Sequence, residues 1–176
     1  MAGLPPPFHA ERVRIARGAR SWFLDAPSPD GAWEAARAFA GIDPWRAYGR
    51  TGDQLAQMFA PHERPDGTFR IAARTGPDAP PAALALVQSP WLAGPYVRFL
   101  GVLPEHQGDG LGTALLGWIE AEARRARARN LWICVSAFNE GAFALYRRVG
   151  FEPVAEIPDL AADGITERLL RKRLGS

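Results

Sequence analysis

The sequence predicts a mixed α/β sheet, mostly antiparallel with a central parallel pair, flanked by helices. Three observations carry this. Tyr96 to Leu103 reads as a strand, followed by a glycine-rich loop, a long amphipathic helix from Gly110 to about Arg129, and the apolar run Leu131-Trp132-Ile133-Cys134-Val135. That order is a β-α-β unit, which makes the two strands parallel, and a continuous apolar run suits a strand covered on both faces. The N-terminal half instead carries short strands joined by proline and glycine turns, the pattern of antiparallel neighbours. Finally, 176 residues with 47% hydrophobic and 23% charged residues suit one domain, residues 1–176, with a full core.

The elements follow in order. Residues 1–10, with three consecutive prolines, read as a flexible arm. Val13 and Ile15 alternate with Arg12 and Arg14, a first strand. Ser28-Pro29-Asp30-Gly31 opens a helix in which Trp33, Ala36, Phe39 and Ala40 recur at helical spacing, up to Gly41. Asp43-Pro44-Trp45 is a turn or a short helix. Thr51-Gly52-Asp53 precedes Leu55, Met58 and Phe59, a second helix that stops near Pro61. Thr68 to Arg74 is a strand with Phe69 and Ile71 on one face. Ala83–Val87 and Tyr96–Leu103 form an antiparallel pair joined by residues 89–95. The long helix buries Leu111, Leu115 and Trp118. Asn139 to Val149 is a short helix closed by Gly150, and Phe151 to Glu156 is a strand. Ile165 to Leu174 fits a strand or a helix by periodicity.

Composition excludes several classes. No run approaches the roughly 18 apolar residues of a membrane span, and the N-terminus lacks a basic segment followed by an apolar one, so no signal peptide is read. Cytoplasm is the expected location. A single cysteine, Cys134, excludes an internal disulfide and a cysteine-cluster metal site, and it reads as a core residue. Net charge is +2, Lys172 is the only lysine, and no basic stretch interleaved with aromatics argues for nucleic acid. The arginines that close the long helix suit its negative dipole end and a solvated face.

The stretch Gly101-Val102-Leu103-Pro104-Glu105-His106-Gln107-Gly108-Asp109-Gly110-Leu111-Gly112-Thr113 concentrates the chemistry. Pro104 ends the ladder. Gly108, Gly110 and Gly112 permit positive φ or a close approach of the backbone to a ligand. The following helix points its free N–H groups and positive dipole end at the loop. The combination is an anion cradle, most often for phosphate.

Val102-x-Pro104, Gln107-x-x-Gly110-x-Gly112 and Leu115-Leu116 resemble the acyl-CoA-binding signature of the GNAT superfamily of N-acyltransferases. The string WICVSAFNEGAFALYRRVGFEPV, through Asn139, Ala142, Tyr146, Gly150 and Phe151, is similar to that superfamily's following strand, helix and Gly-Phe turn. The resemblance covers residues 82–156, which would form the acetyl-CoA-binding core. It implies a GNAT-like fold and acetyl transfer from acetyl-CoA to a primary amine of a small molecule or protein, by direct attack in a ternary complex and without a metal. It implies that Gly108, Asp109, Gly110, Leu111, Gly112 and Thr113, beside Gln107, hold the pyrophosphate. Leu100, Gly101 and Val102 would pair with the pantetheine arm, and a backbone N–H near Val102 would polarise the thioester carbonyl. Asn139 would bind the cofactor arm, and Tyr146 would protonate the leaving thiolate.

The rival reading is a non-catalytic acyl-CoA-binding or regulatory module on the same fold. Asp109 stands where family members often carry a basic residue, and Arg147 and Arg148 are candidates to supply the missing charge. Cys134 occupies a position where some members place a glutamate base. The base is therefore open between a water chain, Glu105, Asp43 and Asp53. Trp33, Trp45, Tyr48 and Trp91 are candidates to line the acceptor pocket. An exposed edge strand near the C-terminus is open to pairing two chains as a homodimer.

Overall fold

In the computed structural model, residues 7–60 and 67–175 are described. They contain eight strands and four helices: β1 (Val13–Arg17), β2 (Arg20–Asp25), α1 (Pro29–Phe39), α2 (Gly52–Met58), β3 (Thr68–Arg74), β4 (Pro81–Trp91), β5 (Gly94–Val102), α3 (Leu111–Arg125), β6 (Asn130–Ser136), α4 (Glu140–Arg148), β7 (Glu152–Pro158) and β8 (Thr166–Arg173). The strands form one sheet in the order β1-β2-β3-β4-β5-β6-β8-β7. Only β5 and β6 run parallel; every other neighbouring pair is antiparallel. This is the mixed sheet that the β-α-β unit and the N-terminal hairpins predict.

Strand alternation divides the core between the two faces of the sheet. Ile71, Ala73, Ala83, Ala85 and Val87 face the cluster that holds α3 residues Leu111, Leu115, Leu116, Ile119 and Ala123. Ala72, Leu84 and Leu86 face the opposite cluster, with Ala32, Ala36 and Phe39 of α1 and Leu55 of α2. Ser28 caps α1 by accepting from Gly31 N at 3.3 Å. Thr51 and Gln54 form a reciprocal capping box on α2, at 3.2 and 3.0 Å.

Several elements differ from the sequence reading. The arm expected over residues 1–10 is packed at its described end: Phe8 is buried, its ring lies 5.3 Å from that of Phe69, and its N–H donates to Glu122 Oε2 at 2.8 Å. Strand β2 was not anticipated. The β4–β5 connection is tighter than residues 89–95, a two-residue turn at Leu92 and Ala93. Strand β4 runs through Pro90 because a register shift between Gln88 and Trp91 accommodates the missing donor. Helix α3 ends at Arg125, four residues early, where Arg127 enters the left-handed region at φ 55°. Its buried stripe includes Ile119 and Ala123, leaving Trp118 half-buried. The 165–174 segment is a strand, because it pairs with both β6 and β7. Pro61 and His62 lie outside the described residues. No described helix is long and apolar enough to cross a membrane.

One irregularity positions the site. Leu86 pairs with Phe99 and Val87 with Val97, so Arg98 is an extra residue in β5. Such a bulge bends its strand and increases the twist. Strand β5 then pairs with β6 only at Tyr96–Trp132 and Val97–Ile133. Beyond these pairs the strands separate, and the backbone of Leu100 to Val102 is unpaired on its β6 side.

Candidate active site

Two cavities open where β5 and β6 part. The first, about 570 Å³, lies along the glycine loop. Leu100 and Val102 form one wall, and Gln107, Gly108, Gly110, Leu111, Gly112 and Thr113 form the loop and the first turn of α3. Gln107 Nε2 donates to Val102 O at 3.0 Å, tying the loop to the end of β5. Gly108 and Gly110 have φ of +82° and +86°, values that glycine adopts without strain. Gly110 starts α3 without a side-chain cap, and the first turn carries no acidic residue. The leading N–H groups of α3 and the positive end of its dipole therefore face this cavity uncompensated.

Two residues expected at the donor site lie outside the lining. Gly101 is buried against the opposite face, where an added Cβ would lie 2.6 Å from Phe39 Cε1. The Asp109 carboxylate forms an ion pair with Arg20 of β2. An acidic side chain inside the loop is thus neutralised by a strand that the sequence pattern did not reveal. Of the two arginines considered for charge, Arg148 lines the cavity, while Arg147 donates back to Phe151 O at 3.1 Å.

The second cavity, about 370 Å³, lies on the other side of the gap. The two share Trp45, Leu100, Asn139, Ala142 and Tyr146. Asn139 caps α4: its Oδ1 accepts from Ala142 N at 3.1 Å, which leaves its side-chain NH₂ for another partner. Tyr146, on α4, is 6% exposed. Burial, and secondarily Glu167, push its phenol well above the ordinary value near 10, so it stays protonated at neutral pH. Its hydroxyl makes no hydrogen bond among the described residues, yet it is not sealed from the cavities.

The second cavity is built by side chains distant in sequence. Trp45 stacks on Phe99 with ring centroids 4.5 Å apart, which holds the segment between α1 and α2 over the gap. Three residues on, the Tyr48 hydroxyl donates to Glu167 Oε1 at 2.7 Å and shares a short hydrogen bond with Ser136 Oγ. Ser136 and Glu167 are register partners on β6 and β8, and both are buried. Burial raises the Tyr48 and Tyr96 phenols and the Cys134 thiol, and the negative charge of Glu167 adds to each. Cys134, expected in the core, lines this cavity. Among the described residues, Glu167 is its single acidic lining residue.

None of the three acids considered as a base lines this cavity. Asp53 pairs with Arg37 and Asp43 with Arg46. Glu105 lies on the turn after β5, outside both linings. Trp45 and Tyr48 do line the cavity. Trp91 packs instead on Tyr96 and Trp132, and Trp33 lies under Arg37. Among the described residues no group of three histidine, cysteine or acidic side chains is placed to hold a metal ion.

A parallel pair that parts beside a glycine loop and an uncapped helix start is the arrangement that the acyl-CoA signature predicts. Residues 31–151 match the model of the acetyltransferase (GNAT) family, and the chain belongs to that family. A streptothricin acetyltransferase from Streptomyces lavendulae is 33% identical over 90 residues, 51% of this chain and 48% of that protein. The chain therefore matches about half the length of that relative. The crystal structure of nourseothricin acetyltransferase is 29% identical, covers 66% of this chain and 71% of its own, and superposes with a TM-score of 0.57. The Salmonella typhimurium protein yncA, solved with its cofactor acetyl-CoA, shares the fold at 16% identity, with a TM-score of 0.63 over 88% of this chain and 95% of its own.

Proposed function

We propose that this chain transfers an acetyl group from acetyl-CoA to a primary amine by direct attack in a ternary complex, with the donor in the loop cavity and the acceptor in the second. One observation carries the reading: the two cavities share Tyr146, whose hydroxyl has no hydrogen-bond partner among the described residues. The α3 N-terminus and the loop N–H groups suit the pyrophosphate. The unpaired edge of Leu100 to Val102 suits the pantetheine arm as an added strand, with the Val102 N–H as donor to the thioester oxygen. Asn139, its oxygen engaged in the α4 cap, offers its NH₂ to the arm. The acceptor ammonium first gives a proton to solvent through a water chain; the neutral nitrogen then bonds to the carbonyl carbon, the C–S bond breaks, Tyr146 gives its proton to the leaving sulfur, and the proton shed by the new amide nitrogen restores the phenol. No step requires a metal. Binding of acetyl-CoA by the Salmonella neighbour, which shares this fold, supports the donor assignment.

Thiol release from acetyl-CoA over an amine panel tests this. Streptothricin and nourseothricin belong in the panel because the relatives are named for them, beside polyamines, amino acids and peptide N-termini. The expected result is thiol release that depends on one class of amine. No release from any of them, with no thermal stabilisation by millimolar CoA, would refute the proposal. Tyr146→Phe should lower kcat by about a hundredfold with little change in either KM; unchanged turnover removes the acid role.

A further inference from the structure

We infer that Glu167, oriented by Tyr48, is the counter-ion for the acceptor's ammonium, so that this chain selects acceptors that arrive as cations. The inference rests on the acetyl-transfer reading above and deepens it. Glu167 is 3% exposed, and no arginine, lysine or histidine among the described residues pairs with it. A buried carboxylate with only neutral hydrogen-bond partners is costly unless a cation completes it.

Its two oxygens divide the work. Oε1 accepts from Tyr48, a residue of the segment that closes the cavity. Oε2 accepts no hydrogen bond within the described chain and is not sealed off, so it faces the cavity. The phenols and the thiol around it stay neutral: the negative charge of Glu167 reinforces burial in raising Tyr48, Tyr96, Tyr146 and Cys134. Glu167 therefore supplies the negative potential at this end of the gap. Arg50 and Arg98 also line the cavity, but neither forms an ion pair with Glu167. The aromatic walls formed by Trp45, Tyr48 and Tyr96 suit the apolar body of an amine whose charged end reaches Oε2.

The test compares 2-phenylethylamine with 2-phenylethanol, equal in shape and different in charge, by calorimetry on CoA-saturated protein. The wild type should bind the amine roughly tenfold to a hundredfold more tightly, the range for a hydrogen bond to a charged group. Glu167→Gln keeps an oxygen for Tyr48 and should abolish the preference. Tyr48→Phe leaves the charge in place but removes the hydroxyl that orients it, so the preference should weaken without vanishing, which keeps the idea testable should the Gln variant not fold. An amine that binds no better than the alcohol in the wild type, including no binding of either at high millimolar concentration, overturns the inference. So does a preference that survives Glu167→Gln, or one that Tyr48→Phe leaves unchanged. CoA binding is read separately by thermal shift. Its loss in the wild type would sink the acetyl-transfer reading, whereas intact CoA binding without amine preference sinks only this one.

Discussion

The Arg20–Asp109 ion pair gives the most direct test of how the loop holds an anion. Asp109 lies between Gly108 and Gly110, its neighbour Gly110 is so close to Arg17 that an added Cβ would meet Arg17 Cδ at 2.7 Å, and its own carboxylate pairs with Arg20. The β1–β2 hairpin thus braces the loop with two arginines. Arg20→Ala would leave a bare carboxylate beside the bound pyrophosphate. At a separation of about 7 Å in bulk water, each unit of phosphate charge is repelled by roughly 0.6 kcal/mol, so a diphosphate loses about 1.2 kcal/mol, or about sevenfold in Kd. The effect should shrink at physiological salt, where the screening length is about 8 Å. Adding Asp109→Asn to Arg20→Ala removes the repulsion and should return the affinity nearly to that of the wild type. Calorimetric titration of CoA at low and high salt reads all three proteins. An Arg20→Ala protein that binds CoA as the wild type does, or a double variant as weak as the single one, would refute the electrostatic account; the second result would mean that Arg20 acts by holding the loop's shape.

Two further predictions concern packing and ionisation. Gly101→Ala places a Cβ 2.6 and 2.8 Å from Phe39 ring carbons and 2.9 Å from one of Phe99; overpacking should cost about 1–3 kcal/mol, a fall in Tm of roughly 2–4 °C per kcal/mol, and an unchanged Tm refutes the contact. All three tyrosines of the chain are raised above their ordinary value, first by burial. Their contribution to stability is complete below about pH 10 and is lost as pH rises beyond it, because the unfolded phenols release protons that the native ones retain. Tyr48 is only partly buried and solvent screens it, so the slope comes mainly from Tyr96 and Tyr146 and is at most about 3 kcal/mol per pH unit. Near-ultraviolet phenolate absorbance should rise together with loss of circular dichroism, and a phenol that ionises while the fold persists would contradict its burial.

The central unit was legible because its signals are local. Proline and glycine at fixed positions, a helical stripe through Leu111 and Leu115, and the run from Leu131 to Val135 each report on their own stretch of chain. Elements whose state depends on distant partners were less legible. Strand β8 reads equally as helix until β6 and β7 flank it. The described end of the N-terminal arm is packed because Phe8 finds Phe69 and its N–H finds Glu122, contacts that the run of prolines does not announce.

The same distinction separates the two halves of the site. The cavity proposed for the donor is formed largely by backbone, and backbone that must approach an anion leaves a contiguous signature: glycines, no bulky side chains, and a helix start without a cap. The cavity proposed for the acceptor is formed by side chains. Tyr48 lies 88 residues from Ser136 and 119 from Glu167 in sequence, and only the sheet order places β8 beside β6 so that all three meet. Nothing local marks Glu167 among the 19 acidic residues of the chain. Its neighbours on β8 are arginines and leucines in a pattern that suits a half-exposed strand. What distinguishes it is burial without a cationic partner among the described residues, a property that exists only after folding. If the proposed assignment holds, a donor half written in backbone and an acceptor half written in scattered side chains can vary independently: the loop would keep one donor while exchanges at positions such as Tyr48 and Glu167 would change the amine.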